Sequence, residues 1–301
     1  MENAFIHESV MTRETLAYLK PRSGGVYADA TLGGGGHTAA ILDASAPDGR
    51  VLAVDRDPRA IEHAQKRLSA YGDRVSVLHG EFADLAALLE GAGVSRVDGV
   101  VADLGVSSPQ LDVAERGFSF QHVGPLDMRM DTSRGETVAQ LIARLSESEL
   151  ADVIFHFGEE RRSRAIARSI RRMHDAGELH TTEDLRMAVQ RAVGRPPGSK
   201  IDPATRTFQA LRIACNRELD QLRSLLGALP DVLNDGGVAV LISFHSLEDR
   251  IVKHTLRDSD VLEVLTKKPV IAADDEQEKN RRSRSAKLRA AVRVSRAEVQ
   301  A

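Results

Sequence analysis

The stretch Val26-Tyr27-Ala28-Asp29-Ala30-Thr31-Leu32-Gly33-Gly34-Gly35-Gly36-His37-Thr38 leaves this chain few ways to fold. A short apolar run ends in an acid, four glycines follow, a helix-like segment comes next, and a second apolar run, Val51-Leu52-Ala53-Val54, ends in Asp55. This is the pattern of one βαβ unit with a nucleoside-sized pocket at its mouth. The glycines let a ligand lie against backbone, and an acid about twenty residues further on can grip a ribose diol.

Two phosphate-binding readings fail at this turn. Counting Gly-x-Gly-x-x-Gly from Gly33 through Gly35 puts Thr38 where a dinucleotide fingerprint needs its last glycine. A P-loop needs Gly-Lys-Ser/Thr, and Gly36 is followed by His37 and Thr38. What remains resembles the first motif of S-adenosylmethionine (SAM) methyltransferases, acid-x-Gly-x-Gly-x-Gly, with Asp29, Gly33 and Gly35 in register and Thr31 replacing the first glycine. A ligand with a ribose and a sulfonium but no phosphate suits such a loop.

Beyond the turn, short apolar runs alternate with helical ones. Helices are expected over 13–19, 38–44 and 85–89, and strands over 50–54, 75–78 and 97–102. Asp57-Pro58 reads as a cap with proline in the first turn of a helix that turns Ile61, Ala64 and Leu68 to one side. Such alternation predicts a doubly wound parallel sheet with its ligand at the carboxyl ends of the strands. From Gln110 to Thr207 strand-like runs vanish, and helices are expected over 138–145, 149–155, 160–173 and 184–193, with Pro196-Pro197-Gly198 as a break. A long helix over 210–233, the Gly236-Gly237 turn and a strand over 238–243 restore the alternation, and 288–294 reads as a last strand. The expected organisation is a SAM-binding domain from 1–109 and 208–301, interrupted by an all-helical substrate-recognition domain at 110–207.

Composition narrows the function classes. A formal charge of -3 and a pI near 6.4 argue against a chain that coats nucleic acid with uniform positive potential. Aromatic content of 4% without Trp disfavours a sheet that stacks successive bases. The single cysteine, Cys215, excludes an internal disulfide and leaves no cysteine cluster for zinc, and its apolar neighbours make it a buried thiol. No apolar run approaches a membrane span and no export signal is evident, so a cytoplasmic location is expected.

Three strand ends carry the chemistry. Asp55 suits the ribose hydroxyls, and Phe82, after the third strand, can pack on adenine. The fourth strand ends Asp103-Leu104-Gly105-Val106-Ser107-Ser108-Pro109-Gln110, where an acid and two hydroxyls can hold the N–H groups of an exocyclic amine and turn its lone pair toward a methyl donor. Asp103 can instead contact the amino-acid end of the cofactor. The next strand ends Ser243-Phe244-His245-Ser246-Leu247-Glu248-Asp249-Arg250, where Ser246 and Asp249 read as a capping pair, Phe244 can flank a target base, and His245 can receive the released proton. Arg161, Arg164, Arg168 and Arg171 recur at helical spacing as a cationic stripe fit for RNA phosphates. Lys279, Arg281, Arg282, Arg284, Lys287 and Arg289 form a second basic patch.

Longer motifs now join these residues: His7-Glu8-Ser9-Val10, Asp29 to His37, Asp55-Arg56-Asp57-Pro58, Asp103 to Gln110, Arg116 to Phe120 with Gly124 to Met130, Ala204 to Ala210, and Ser243 to Arg250. Together they resemble the bacterial small-subunit (16S) rRNA cytosine-N4 methyltransferases over nearly the whole chain. The resemblance implies a seven-stranded Rossmann-like methyltransferase sheet and methylation of N4 of a cytidine in the decoding region of the small ribosomal subunit. It implies SAM contacts at Gly35, Gly36, His37, Asp55, Phe82, Asp103 and Gln110. The chemistry of the strand ends puts catalysis at Asp103, Ser107, Ser108 and His245, and a sulfonium, already an activated leaving group, needs no metal. The stretch from Lys267 to Asn280 is more compact than in some members. A DNA amino methyltransferase, disfavoured by the lack of an Asp/Asn-Pro-Pro-aromatic turn, and a SAM-gated assembly factor without catalysis are the rival readings.

Overall fold

A computed structural model describes residues 9–194 and 202–295. The break expected at Pro196-Pro197-Gly198, and His7 and Glu8 of the first motif, lie outside the described residues. Two compact units divide the chain: Met1–Gly105 with Leu219–Ala301, and Val106–Glu218.

The first unit is built on seven strands: β1 (Val26–Asp29), β2 (Arg50–Asp55), β3 (Val75–His79), β4 (Val97–Asp103), β5 (Leu233–Ser243), β6 (Leu262–Val264) and β7 (Lys287–Arg293). They lie in the order β3-β2-β1-β4-β5-β7-β6. The first five are parallel, as the alternation of strands and helices predicts, but β7 runs antiparallel to both β5 and β6. The sheet is therefore mixed. The three-residue strand β6 is too short to show a periodicity. β5 starts at Leu233 rather than 238, because Leu233 already pairs with Val97 before the register shifts and Val238 takes up Gly99.

Buried on both faces, the central strands read as unbroken apolar runs. Tyr27, Val51, Ala53, Val101 and Val240 face one layer, which includes helices Thr12–Leu19, Gly36–Ala44 and Pro58–Leu68. Ala28, Leu52, Val100 and Leu241 face the other, with Leu85 and Leu89, with Leu222, Leu225 and Leu229 of helix Glu218–Val232, and with Val252 and Leu256. Each buried Val or Leu among them contributes about 1.5–3 kcal/mol of transfer free energy. Helix Pro58–Leu68 begins as expected, with the Asp57 carboxylate accepting the Arg59 N–H and Pro58 in the first turn. The chain order reverses between β1 and β4, and in open sheets that switch point is where the crevice at the strand tips forms.

The second unit is helical. Helices Val138–Arg144, Glu147–Gly158, Ser163–Asp175, Thr182–Val193 and Ala204–Asn216 close on a core that includes Met128, Ile142, Ile154, Ile166, Leu185 and Phe208. Three start with reciprocal caps that place their first turns: Thr137 with Gln140, Ser146 with Glu149, and Thr181 with Asp184. The helix expected over 210–233 is two helices. Arg217 turns left-handed between them at φ 50, Glu218 holds Arg212 by two bonds of 2.9 Å, and Asn216 clasps Met128 and Met130 backbone. Because Ala204, Phe208 and Leu211 are in the helical core, the unit boundaries fall after Gly105 and Glu218, not at 109/110 and 207/208. Cys215 donates to the Glu136 carbonyl at 3.2 Å, and burial pushes its thiol up to about 12. No helix among the described residues is long and apolar enough to cross a membrane.

Candidate active site

In a parallel sheet with strands about 4.8 Å apart, residues ending neighbouring strands share one edge. Asp55 ends β2, the glycine turn follows β1, Asp103 ends β4 opposite Ile242, and Phe244 and His245 follow β5. These come from both sides of the helical insertion, and the sheet order sets them side by side. Phe82 lies half-buried in a short turn of 3₁₀ helix after β3, next to the tip of β2.

Threonines and acids hold the glycine turn in shape. Asp29 is fully buried, and its carboxylate accepts the Thr38 hydroxyl at 2.6 Å and the Thr31 N–H at 3.1 Å. Burial raises the Asp29 pKa, with His37, the Thr38 hydroxyl and the Thr31 N–H pulling the other way. Thr31 in turn accepts the Asp103 N–H at 2.7 Å, which fixes the tip of β4 to the turn. The two positions that break the glycine patterns are thus the ones that tie the turn together. Asp29 serves the loop from inside it. Gly35 is required twice: its φ is 76, and an added Cβ would stand 3.3 Å from Leu68 and 3.4 Å from Ala64. Gly36 opens the following helix, and a Cβ there would collide with Ser9 Oγ at 1.9 Å.

Asp55 stands over this turn. One oxygen accepts the Gly33 N–H at 2.7 Å and the other the Asp57 N–H at 2.9 Å, so each retains a lone pair for a further donor. Burial raises its carboxyl to about 6. The His37 ring is buried as well, and among the described residues neither ring nitrogen has a hydrogen-bond partner. Nε2 lies 3.7 Å from the Asp103 carboxylate. Desolvation opposes protonation of this ring, but Asp103 and Asp29 outweigh it and the pKa is raised.

These residues fit SAM. Two carboxylate lone pairs suit a ribose diol, a glycine turn admits a nucleoside, and the acid–imidazole pair with unused ring nitrogens suits a zwitterionic amino-acid end.

At the tip of β5, a Cβ on Gly105 would come within 2.7 Å of the Phe244 ring, so only glycine lets that ring pack there. The Arg282 guanidinium lies 6.0 Å above the same ring. The capping pair is not Ser246 with Asp249. His245 is the cap of helix Ser246–Arg257, Nδ1 accepting the Glu248 N–H at 3.4 Å while Nε2 lies 3.1 Å from the Glu248 carboxylate. That carboxylate also accepts the Phe244 N–H at 2.8 Å. Nδ1 is therefore engaged by the cap, while Nε2 is buried beside the Glu248 carboxylate without a hydrogen-bond partner among the described residues. Asp249 instead pairs with Lys287 and Arg289 of β7, so this part of the C-terminal basic patch holds the sheet edge.

Ser107 and Gln110 fall in the helical unit, where Gln110 is buried and its side-chain carbonyl accepts the Ser107 N–H at 3.0 Å. Ser108 opens helix Ser108–Asp112, and its side chain is outside the described part. The arginine stripe breaks up. Arg161 precedes helix Ser163–Asp175, Arg164 and Arg168 are exposed on it, and Arg168 reaches Glu147 at 3.4 Å. Arg171 turns inward to donate to the carbonyls of Ile142, at 2.6 Å, and Leu145, at the end of helix Val138–Arg144. Helical spacing alone does not separate an outward arginine from one that caps its neighbour. Thr31, Thr38 and Glu248 escape sequence reasoning. For the threonines the available signal was their intrusion into a glycine pattern.

An open sheet with a glycine turn after β1, an acid at the tip of β2 bonded to that turn, and an antiparallel β7 set between β5 and β6 defines a SAM-dependent methyltransferase. The sequence profile of the MraW methylase family matches residues 4–294, and the chain belongs to that family. Among curated relatives, Ribosomal RNA small subunit methyltransferase H of Sorangium cellulosum is 61% identical over 292 residues, 97% of this chain and 92% of that one. The proteins of the same name from Geotalea uraniireducens and Synechococcus elongatus are 47% identical, covering 96% of this chain and 99% of theirs, and 50% identical, covering 97% and 96%.

Proposed function

We propose that this enzyme methylates the exocyclic N4 of a cytidine in the decoding region of small-subunit rRNA, acting on the small ribosomal subunit in the cytoplasm. The observation that carries the reading is the setting of Asp103, an acid fixed between the cofactor turn on β1 and the Phe244 turn on β5. The naming of relatives up to 61% identical as small-subunit rRNA methyltransferases supports the substrate class.

SAM supplies, when bound, a methyl group on a sulfonium whose sulfur is already an activated leaving group. The chain's own task is to hold two partners in line. Asp55 grips the ribose, Phe82 packs on the adenine, and Gly33, Gly35 and Gly36 shape the turn that admits them, with His37 and Asp103 at the amino-acid end. Phe244 offers a face to the target base, held by Gly105 behind it and by Glu248 at its N–H. The Asp103 carboxylate accepts an amine N–H, which turns the nitrogen lone pair out of conjugation and toward the methyl, and the proton shed after transfer passes to it. His245 keeps this turn in place as the helix cap. Ser107 and Ser108 stay candidates on their hydroxyl chemistry, and Gln110 on the family resemblance. An amine on a paired base cannot be reached inside a helix, so the substrate is an unstacked or single-stranded nucleotide.

The test is incubation of the protein with labelled SAM and small subunits, followed by nucleoside mass spectrometry. N4-methylcytidine in the rRNA is the expected product. Labelled SAM bound but no methylated nucleoside would leave only a cofactor-gated binding protein, and label in DNA would redirect the substrate class.

A further inference from the structure

In a chain with few aromatics, one is left in solvent. Phe155 is 48% exposed, and among the described phenylalanines and tyrosines it alone is exposed. It projects from helix Glu147–Gly158, whose apolar face is spent on Leu150, Ala151 and Ile154, so its side chain is not part of that core. His156 stands beside it edge to face, with centroids 5.1 Å apart and planes at 79°. Asp152, one turn earlier, shares the face.

Across from this pair, Arg161 and Arg164 line the same groove of about 530 Å³, which lies wholly within the helical unit. Both arginines are exposed, and among the described residues neither forms an ion pair. Their neighbours are spent: Arg162 donates to the carbonyls of Ala192 and Val193, and Arg168 faces Glu147. The nearby acid Glu160 is 3.7 Å from Arg206. The start of helix Ser163–Asp175 has no side-chain cap.

An exposed ring with two uncommitted guanidinium groups beside it is the arrangement that holds a nucleotide of a single strand, base on the aromatic face and phosphates on the cations. We propose that this groove is a second RNA subsite, which stacks one unpaired nucleotide on Phe155 and takes its flanking phosphates on Arg161 and Arg164. The Asp152 carboxylate, an acceptor only, disfavours a phosphate at its end of the groove and suits the amino edge of the base, so the nucleotide enters with its base toward Asp152 and Phe155. This rests on RNA being the substrate and adds a site that contains none of the residues placed at the cofactor or the reacting base. Removing it changes how RNA is held and leaves the cofactor alone.

The experiment measures binding of a fluorescein-labelled single-stranded pyrimidine oligoribonucleotide to the full chain. Phe155→Ala and Phe155→Leu are expected to weaken it by about tenfold or more, and Phe155→Tyr to keep the wild-type affinity, since loss of a stacking ring costs about 1–3 kcal/mol. The pair Arg161→Ala with Arg164→Ala should also weaken binding and lower the slope of log affinity on log salt by about 0.7 for each phosphate no longer neutralised. SAM affinity and thermal midpoint should be unchanged throughout, which separates weakened RNA recognition from a damaged fold. Oligonucleotide affinity unchanged in Phe155→Ala overturns the proposal, even if affinity for whole subunits falls, because the groove then meets a ribosomal protein. A change in oligomeric state on Phe155→Ala would assign the ring to a second copy of the chain and overturn it too. A wild type that binds the oligonucleotide through Phe155 but methylates no small subunit would uphold the subsite and sink the substrate reading.

Discussion

If Asp55 grips the ribose as proposed, cofactor binding should depend on pH, and the structure sets the sign. Burial raises the Asp55 carboxyl to about 6, and only the ionised form offers lone pairs on both oxygens beyond those used by Gly33 and Asp57. SAM affinity should therefore be complete above that value and fall as pH drops through it. Between pH 7.5 and 5 the ionised fraction falls about tenfold, so the Kd should rise about tenfold, or about 1.4 kcal/mol. Asp55→Asn loses a charged acceptor worth about 1.5–3 kcal/mol, so its Kd should be roughly ten to a hundred times weaker at pH 7.5 and nearly flat down to pH 5. Stability moves the other way. A folded carboxyl raised above its unfolded value disfavours the folded state increasingly as pH climbs from about 4 to 6, a cost of about 1 kcal/mol more at pH 7.5 than at pH 5. The melting midpoint of Asp55→Asn relative to wild type should then be higher at pH 7.5 than at pH 5 by a few degrees. Titration calorimetry over the pH range, with scanning calorimetry of the free protein, reads both. A wild-type Kd independent of pH, or an Asn variant that keeps the wild-type pH profile, refutes the assignment of Asp55 to the ribose.

Three further perturbations follow from the geometry. Asp103→Ala should abolish methyl transfer, and single-turnover assays at saturating SAM check it; wild-type turnover would remove the acid from the chemistry. Thr38→Val takes a 2.6 Å donor from the fully buried Asp29, so thermal denaturation should show a loss of about 1–3 kcal/mol. Arg171→Ala strips two carbonyls of their donor and should cost a similar amount of stability, about 1–3 kcal/mol, whereas Arg164→Ala should leave the midpoint within about 0.5 kcal/mol.

Much of the fold is legible in the sequence because its signals are local. The alternation of buried runs and amphipathic helices announces the parallel half of the sheet, Asp57-Pro58 announces a helix start, and the glycines with Asp55 announce a nucleoside site. Each depends on residues a few positions apart. Other features depend on residues far apart in the chain. That β7 enters antiparallel between β5 and β6, that Arg217 breaks a helix without glycine or proline, and that Arg171 leaves a cationic stripe to cap a neighbour are settled by partners 26 or more residues away or by packing.

What the sequence by itself determined, then, is which residues can make a cofactor turn and roughly where the helical insertion interrupts the sheet, since backbone freedom at glycine and side-chain periodicity are written residue by residue. Tertiary structure alone decided that Thr31 fastens the turn to Asp103, that His245 is a cap and that Phe155 is bare. Each of those outcomes turns on which polar or apolar group the folded chain brings within bonding distance, and distance along the chain does not encode it.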